Sequence, residues 1–396
     1  MARSPHVLVA GAGAFGGWTA LYLRRAGARV TLLDAWGPGH SRSSSGGETR
    51  IIRGVYGPDR IYVDWVARAF DLWHEHEARW GVRLLQPTGA VWMFEGDDGY
   101  ARTSQPLMRE AGMVLDEIGP AEARRRFPQL DFTGVRTVFH EPGAGYLLAR
   151  RACRAVVEAF VAEGGEYRQA RVLPGPVEQE VHGGGLRDVE LEDGSTLEAD
   201  LYVFACGPWL GEVFPAAVGD RIVPTRQEAF FFGTPAGDPR WQEGRLPIWM
   251  DFGGEEIFYG LPGNEDRGLK VADDTRRVRI DPTNDDRTLT PERLEAARHY
   301  LARRFPELAG APLVESRVCQ YENTPDGHLL IDRHPEAGNV WLAGGGSGHG
   351  FKLGPALGEH MTRLILHGAD PDPMFALSRL GPGSGAALTS QLSRTG

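Results

Sequence analysis

The chain has 396 residues, is 41% hydrophobic and 24% charged, carries a net charge of −10, and contains 53 Gly and 27 Pro. That composition suits a globular protein of two domains, or one large domain with a big insertion. The acidic balance, with no clustered basic run, excludes a protein that tracks a phosphate backbone, and no segment approaches the ~18 apolar residues of a membrane span.

The N-terminus runs from a short polar lead straight into a strand, without a signal-peptide pattern, so a cytoplasmic protein is expected. Cys153, Cys206 and Cys319 are too few for a disulfide framework and have no metal-site spacing. His6 to Ala10 reads as a buried strand, followed by Gly11-Ala12-Gly13-Ala14-Phe15-Gly16 and a helical stretch to about Ala26. Arg29 to Leu33 forms a second strand ending at Asp34, which completes a βαβ unit with the dinucleotide fingerprint. Gly11 makes the tight turn, Gly13 lets backbone approach a pyrophosphate at the helix N-terminus, and Gly16 lets helix pack on strand. Asp34 stands where a carboxylate would accept from ribose hydroxyls, which favours an unphosphorylated adenosine end over NADP.

Ile61 to Trp80 reads as a long helix with an apolar stripe through Trp65, Val66, Ala69, Phe70 and Trp73. His74 and His76, two apart, point to different helix faces and cannot share one metal ion. Leu148 to Glu163 reads as a further helix and Ala199 to Ala205 as an apolar strand that runs into Cys206-Gly207-Pro208. From about Ile222 to Cys319 the pattern becomes antiparallel: Phe230 to Phe232, Ile257 to Tyr259 and Arg277 to Ile280 all read as strands. Pro291 opens a helix to about Arg304. Val340 to Ala343 then feeds a second glycine-rich loop, Gly344 to Gly350, and a helix from about Gly354 to His367. A nicotinamide enzyme needs only the first fingerprint, whereas FAD stretched across a protein is gripped by both terminal regions, so the cofactor is expected to be FAD. Residues from about Gly381 onward are small and polar and are expected to form a flexible tail.

In this order the chain resembles the monomeric sarcosine oxidase and N-methyltryptophan oxidase family, across nearly its whole length. The blocks that carry the likeness are Gly11 to Gly16, Glu48-Thr49-Arg50-Ile51-Ile52-Arg53, Tyr259, Gly268-Leu269-Lys270, Cys319-Gln320-Tyr321, Thr324-Pro325-Asp326 and Ser347-Gly348-His349-Gly350-Phe351-Lys352. The resemblance implies an α/β fold: a Rossmann-like FAD-binding domain (residues 1–85, 145–220 and 325–380) and a substrate domain built on an antiparallel sheet flanked by helices (86–144 and 221–324), with 381–396 as the tail. It implies a thioether from Cys319 to the flavin 8α-methyl carbon. Arg53 and Lys352 are expected to grip a substrate carboxylate, two cations giving charge-assisted hydrogen bonds. Lys270 is expected near flavin N5 through a water, where a fixed cation favours the reaction with oxygen. Arg50, Tyr259 and Tyr321 are candidate flavin-face or substrate-cavity neighbours. Gly11, Gly13, Ala14, Phe15, Gly16, Asp34, Ser45, Thr49, Arg50, Val172, Cys206, Gly207, Gly346, Gly348, His349, Gly350 and Lys352 are expected to contact FAD, and no metal is expected. The helix from Gly354 would aim its positive end at the flavin pyrimidine edge.

One count strengthens the lysine assignments from this sequence alone. Of 43 Lys and Arg residues, only Lys270 and Lys352 are lysines, and both fall where the family uses lysine. The chemistry implied is hydride transfer from the carbon beside nitrogen to flavin N5, then imine hydrolysis and reduction of oxygen to hydrogen peroxide by a monomer acting on a small amine or amino acid. Two other readings compete: a dehydrogenase with a different electron acceptor, and a non-catalytic flavin-binding redox module. Gly46 and Asp274 stand where the family pattern carries histidines, which argues against sarcosine itself. Asp274 is either a partner for a cationic substrate group or a turn residue.

Overall fold

The computed structural model describes residues 3–175, 181–182, 185–254, 256–381 and 388–393. A six-stranded sheet runs in the order Leu330–His334, Ala337–Gly344, Leu201–Phe204, His6–Ala10, Arg29–Asp34, Glu166–Gln169. Every neighbouring pair is parallel except the first, which is an antiparallel edge hairpin. All five residues of His6–Ala10 are buried, as a central parallel strand covered on both faces must be, which explains its unbroken apolar run. The fingerprint helix, Ala14–Arg25, is buried over most of its surface because the terminal helix, Gly354–His367, packs on its far side. Glycines make that approach possible: a Cβ at Gly354 would lie 2.4 Å from the Trp18 ring and one at Gly358 2.8 Å from the Trp18 carbonyl oxygen.

An eight-stranded sheet runs Leu313–Asn323, Val223–Phe232, Leu269–Asp273, Phe258–Leu261, Ile248–Phe252, Ala90–Phe94, Thr137–Glu141, Asp116–Ile118. Its pairs are antiparallel apart from Ile248–Phe252 with Ala90–Phe94, so two distant stretches of chain are joined in one sheet. One face packs on the helix Pro291–Arg304 and its exit, with Phe258 stacked on Tyr300 at 4.3 Å and Trp249 tilted against Phe305 at 4.7 Å. Arg304, fully buried, pins this layer through Asp251 at 2.6 Å and Glu95 at 2.7 Å. The other face looks toward the six-stranded sheet and carries the site described below. A third sheet of three strands, Thr49–Ile52, Gly145–Leu148 and Leu85–Pro87, lies between these elements in the chain order.

Two expectations differ from what is observed. Arg277 to Ile280 forms only an isolated bridge, Arg279 to Thr225. Prolines at 224 and 282 deprive that ladder of donors, so it cannot extend into a strand. The C-terminal residues 388–393 pack against the protein rather than trailing from it. The Thr389 amide donates to the Pro325 carbonyl at 3.0 Å, and Gln391 is 1% exposed. Small and polar composition concealed this, because the segment is held by specific hydrogen bonds rather than by an apolar stripe. The long helix spans Arg60–Trp80, where His76 is buried between Trp18 and Trp80 and bonds the Tyr22 hydroxyl at 3.0 Å, while His74 is exposed.

The fingerprint turn is the tightest junction between the sheet and its helix. A Cβ at Gly16 would stand 1.8 Å from the Gly11 carbonyl oxygen, and one at Gly11, whose φ is +106°, 2.2 Å from the Ala205 carbonyl oxygen. Gly16→Ala should therefore lower stability by about 1–3 kcal/mol, the usual cost of forcing a methyl into packed backbone. Urea titration checks this, and an unchanged midpoint would contradict the packing role.

Candidate active site

A cavity of about 300 Å³ runs along the six-stranded sheet from the fingerprint to the second glycine-rich loop. Its lining includes Gly11, Gly13, Ala14 and Phe15, then Asp34, Ser45, Arg50, Val172, Cys206 and Gly207, and finally Gly346, Gly348 and Gly350. Gly16 is not in the wall; it packs beneath it. The fingerprint helix has no acidic residue in its first turn; its N-terminus faces the cavity, with the Ala14 amide met by the neutral Ser45 hydroxyl at 3.1 Å. Asp34 lines the wall, but Oδ1 already accepts from the amides of Trp36 (2.9 Å) and Gly37 (2.7 Å), and Oδ2 from Ala12 (2.7 Å). About one of its four acceptor positions is left for a ligand. At this end Trp36 also packs on Trp209, with ring centroids 4.6 Å apart.

A second cavity adjoins the first, and Arg50, Tyr321, Gly348 and Phe351 belong to both walls. The register of the eight-stranded sheet builds its roof. Lys270 lies opposite Leu261 and Phe231, Tyr259 is two residues from Leu261, and Cys319 lies opposite Gln227, four residues from Phe231. Because side chains alternate with a period of two, Lys270, Tyr259, Cys319 and Tyr321 all project from one face. The floor comes from elsewhere: Thr49, Arg50 and Arg53 from the strand Thr49–Ile52 and its exit, and His349 and Lys352 from the glycine-rich loop and the short turn Phe351–Leu353. Thr49, Cys319, His349 and Lys352, expected among the FAD contacts, thus line this second cavity and not the first.

The second glycine-rich loop is held by the Thr324-Pro325-Asp326 block. The Ser347 hydroxyl lies 3.2 Å from the Thr324 amide, the Ser347 amide donates to the Glu322 carbonyl at 3.0 Å, and Asp326 pairs with Arg379 at 2.8 Å. Thr324 and Glu322 therefore hold the loop, while Asp326 is taken up by Arg379.

Arg53, Lys270 and Lys352 are 4%, 6% and 3% exposed, an unusual degree of burial for cations. Burial pushes Lys270 down to about 7, helped by Arg50 and opposed by Cys319 and Glu48; its ammonium lies 3.4 Å from the Thr49 hydroxyl and 6.0 Å from the Tyr259 ring centroid. Burial and then Arg53 hold Lys352 well below the ordinary lysine value, against the pull of Glu141, and its ammonium donates to the His349 carbonyl at 2.9 Å. The Arg50 guanidinium lies 3.2 Å from Cys319 Sγ. Burial pushes the Cys153 and Cys206 thiols up to about 12. Asp274 lines this cavity; Arg276 is 3.2 Å away and the Ser390 hydroxyl donates to it at 2.5 Å.

Sequence reasoning missed several members of the site. Tyr56 lies between the two anchor cations, its ring centroid 4.2 Å from Arg53 Cζ and 5.2 Å from Lys352 Nζ. Trp92 supplies a second ring to Arg53 at 5.7 Å, and its indole donates to Glu141 at 3.2 Å. Glu141 is pushed up to about 7 by burial although the Gly54 amide and Arg53 oppose this. Trp92 and Glu141 sit beside no motif, and Tyr56, three residues beyond the Glu48 to Arg53 block, carries no spacing of its own that marks it.

With the site assembled, known proteins can be set beside it. Residues 6–364 match the family described as FAD dependent oxidoreductase. The chain is 31% identical over 373 residues to a monomeric sarcosine oxidase of Bacillus sp. (strain B-0618), covering 91% of this chain and 92% of that protein. It is 28% identical over 383 residues to an N-methyl-L-tryptophan oxidase of Yersinia pestis (strain Pestoides F), covering 94% and 98%. Among solved structures, L-proline dehydrogenase from P. horikoshii superposes with a TM-score of 0.81 at 22% identity, over 96% of this chain and 98% of that one. Fructosamine oxidase (Amadoriase II) from Aspergillus fumigatus gives 0.80 at 21%, over 100% and 94%. The chain belongs to the FAD-dependent oxidoreductase family, in its monomeric sarcosine oxidase and N-methyltryptophan oxidase group. It is an FAD-dependent enzyme, and its residues fit that cofactor. The cavity is long, it starts at a helix N-terminus with no acidic residue in its first turn, and its glycines at 13 and 346 leave no Cβ to obstruct a close ligand.

Glu322 gives the cofactor cavity an unexpected ionisable group. It follows Tyr321 on the strand and therefore points to the opposite side, into the wall of the larger cavity. It is 8% exposed; Oε1 accepts from the Gly346 amide at 3.2 Å, and Oε2 has no partner at hydrogen-bonding geometry among the described residues. Burial pushes it up to about 7, against the pull of the Gly346 amide and the Ser44 hydroxyl. The folded protein thus keeps this proton over a range where the unfolded chain has released it, so the group costs stability progressively as pH rises from the ordinary glutamate value to about 7. Glu322→Gln should be close to wild type near pH 5 and more stable by up to roughly 3 kcal/mol near pH 8. Urea titrations at the two pH values read this difference, and a gap independent of pH would contradict it.

Proposed function

We propose that the enzyme oxidises the C–N bond of an amino acid or N-methyl amino acid, with FAD bound covalently through Cys319 and oxygen as the electron acceptor. The observation that carries the reading is the pair of opposed surfaces in the second cavity. Cys319 and Lys270 project from the sheet above, and two buried cations without a fully ionised partner, Arg53 and Lys352, lie below. A pair of desolvated cations is a site for an anion, because each adds a charge-assisted hydrogen bond in a medium where water does not compete. A substrate carboxylate meets that need and fixes the carbon–nitrogen bond at one position against the sheet face. Tyr56 and Trp92 hold the guanidinium of Arg53 in place through their rings. Tyr259 and Tyr321, whose hydroxyls are 3.2 Å apart, wall the cavity and restrict water.

When bound, FAD accepts the hydride from the substrate carbon and returns the electrons to oxygen, which leaves as hydrogen peroxide. Lys270 supplies the positive charge that favours electron transfer to oxygen. The imine released hydrolyses in water without help from the protein. No residue is required as a base if the amine arrives neutral, and the cations around the cavity favour that form. We further infer a division into an FAD-binding domain (1–85, 145–220, 325–380) and a substrate domain (86–144, 221–324), which agrees with how the two large sheets draw their strands. A monomer in the cytoplasm is the matching assignment; the names of several relatives as monomeric support the first part.

Cys319 is the attachment point, its sulfur in the wall of the second cavity 3.2 Å from the Arg50 guanidinium. Acid precipitation of the wild type should therefore leave the yellow flavin in the pellet, and Cys319→Ser should release it to the supernatant. Release from the wild type would remove the covalent link.

The pH behaviour of Lys270 gives a further test. Its charge is present below about 7 and is lost as pH rises through that value. The rate of reoxidation by oxygen should fall across that range in the wild type, stay level in Lys270→Arg, whose guanidinium keeps its proton, and be low and level in Lys270→Met. Stopped-flow absorbance reads reoxidation separately from reduction by substrate. A wild-type rate that does not change with pH would remove Lys270 from this step.

A further inference from the structure

The described residues 388–393 reach the second cavity. Leu392 lines it, and Gln391 reaches the anchor itself. Arg53 Nη2 donates to Gln391 Oε1 at 2.9 Å, while Nη1 donates to the Val55 carbonyl. The Tyr100 hydroxyl lies 2.7 Å from the same Gln391 oxygen, and Gln391 Nε2 donates to the Tyr56 carbonyl at 3.4 Å. The segment is fastened on both sides of this contact. Thr389 bonds Pro325, and Ser390 bonds both Asp274 and Arg276, the latter at 3.3 Å. Both outer nitrogens of Arg53 are thus occupied by neutral oxygens, and its faces are covered by Tyr56 and Trp92.

A carboxylate is bound most strongly by arginine through two parallel hydrogen bonds. That geometry is not open here, because the Gln391 oxygen sits where one carboxylate oxygen would sit. We propose that Gln391 is a specificity-determining residue, a neutral occupant of the carboxylate anchor that an amino acid carboxylate must displace from Arg53 in order to bind. The inference rests on the anchor role given above to Arg53 and Lys352. It accounts for the departure at Asp274 in physical terms: where the family pattern has a histidine, this chain has an acid that, with Arg276, fastens Ser390 and so sets Gln391 in place. The consequence for substrate choice is direct. Amines with a carboxylate next to the reacting carbon lose part of their binding to this competition. Amines whose carboxylate is absent or further from the reacting carbon do not.

The test uses the purified holoenzyme and the change in flavin absorbance on titration with propionate, with propionamide as its neutral isostere. Gln391→Ala and deletion of residues 388–396 should each tighten propionate binding by about tenfold, the scale of one charge-assisted hydrogen bond, and leave propionamide unchanged. Gln391→Glu, which places a rival carboxylate on Arg53, should weaken propionate. Equal or weaker propionate binding in Gln391→Ala and in the deletion overturns the proposal. Arg53→Met separates this failure from failure of the anchor. If Arg53→Met abolishes the wild-type response while Gln391→Ala leaves it unchanged, the anchor stands and the role of Gln391 falls. If no form of the enzyme responds to propionate, or if Arg53→Met binds it as well as the wild type, the anchor falls and the inference with it.

Discussion

Three cations buried around one small cavity set the terms for the rest of this structure. Arg53, Lys270 and Lys352 are almost wholly removed from water, and the groups that solvate them are mostly neutral: the carbonyls of Val55 and His349, the Thr49 hydroxyl, the Gln391 amide and three aromatic rings. A charge held in this way is costly unless each donor keeps a partner. Glu141, the acid nearest the Arg53 and Lys352 pair in effect, is itself held toward its neutral form by burial. The outcome is a region of positive potential in a low-dielectric pocket, which persists only because the surrounding layers are rigid. The buried Arg304 pair behind the eight-stranded sheet and the glycine-tight contacts of the fingerprint helix provide that rigidity from opposite sides.

The two large sheets contribute differently to the site. The parallel sheet offers strand ends, turns and a helix terminus, which are backbone groups suited to a long phosphate-bearing ligand. The mixed sheet offers one flat face of alternating side chains, so that sulfur, ammonium and phenol groups from three strands lie side by side. Tyr321 and Glu322 show how closely the two cavities are joined. Adjacent on one strand, they point in opposite directions, one walling both cavities and the other only the larger.

What the sequence disclosed followed how local each feature is. The fingerprint, the second glycine loop and the helices beside them were legible because each is a continuous run whose spacing states its own geometry. Lys270 and Lys352 were legible because a chain that otherwise uses arginine left only two lysines. The strand expected at Arg277 to Ile280 was not formed, since Pro224 in its partner and Pro282 just beyond its own end interrupt the ladder. Trp92 and Glu141 escaped notice because their meaning depends on contacts between segments far apart in the chain, and Tyr56 and Glu322, although close to named blocks, because theirs depends on Lys352 and Gly346. Gln391 escaped for a sharper reason. Its partner Arg53 lies 338 positions earlier, and its own neighbourhood reads only as small and polar.

The placement of Gln391 also bears on how the protein should be handled. Residues at a chain terminus are the usual place to attach a purification handle or a fusion partner, on the assumption that they lie away from the chemistry. In this enzyme the final segment is part of the wall of the reaction chamber. A cargo joined at that end would pull on the hydrogen bonds that keep Gln391 against Arg53, and a preparation carrying it would report the substrate preference of an altered pocket. Ahead of the first strand, by contrast, Arg3 and Ser4 are exposed and away from both cavities' linings.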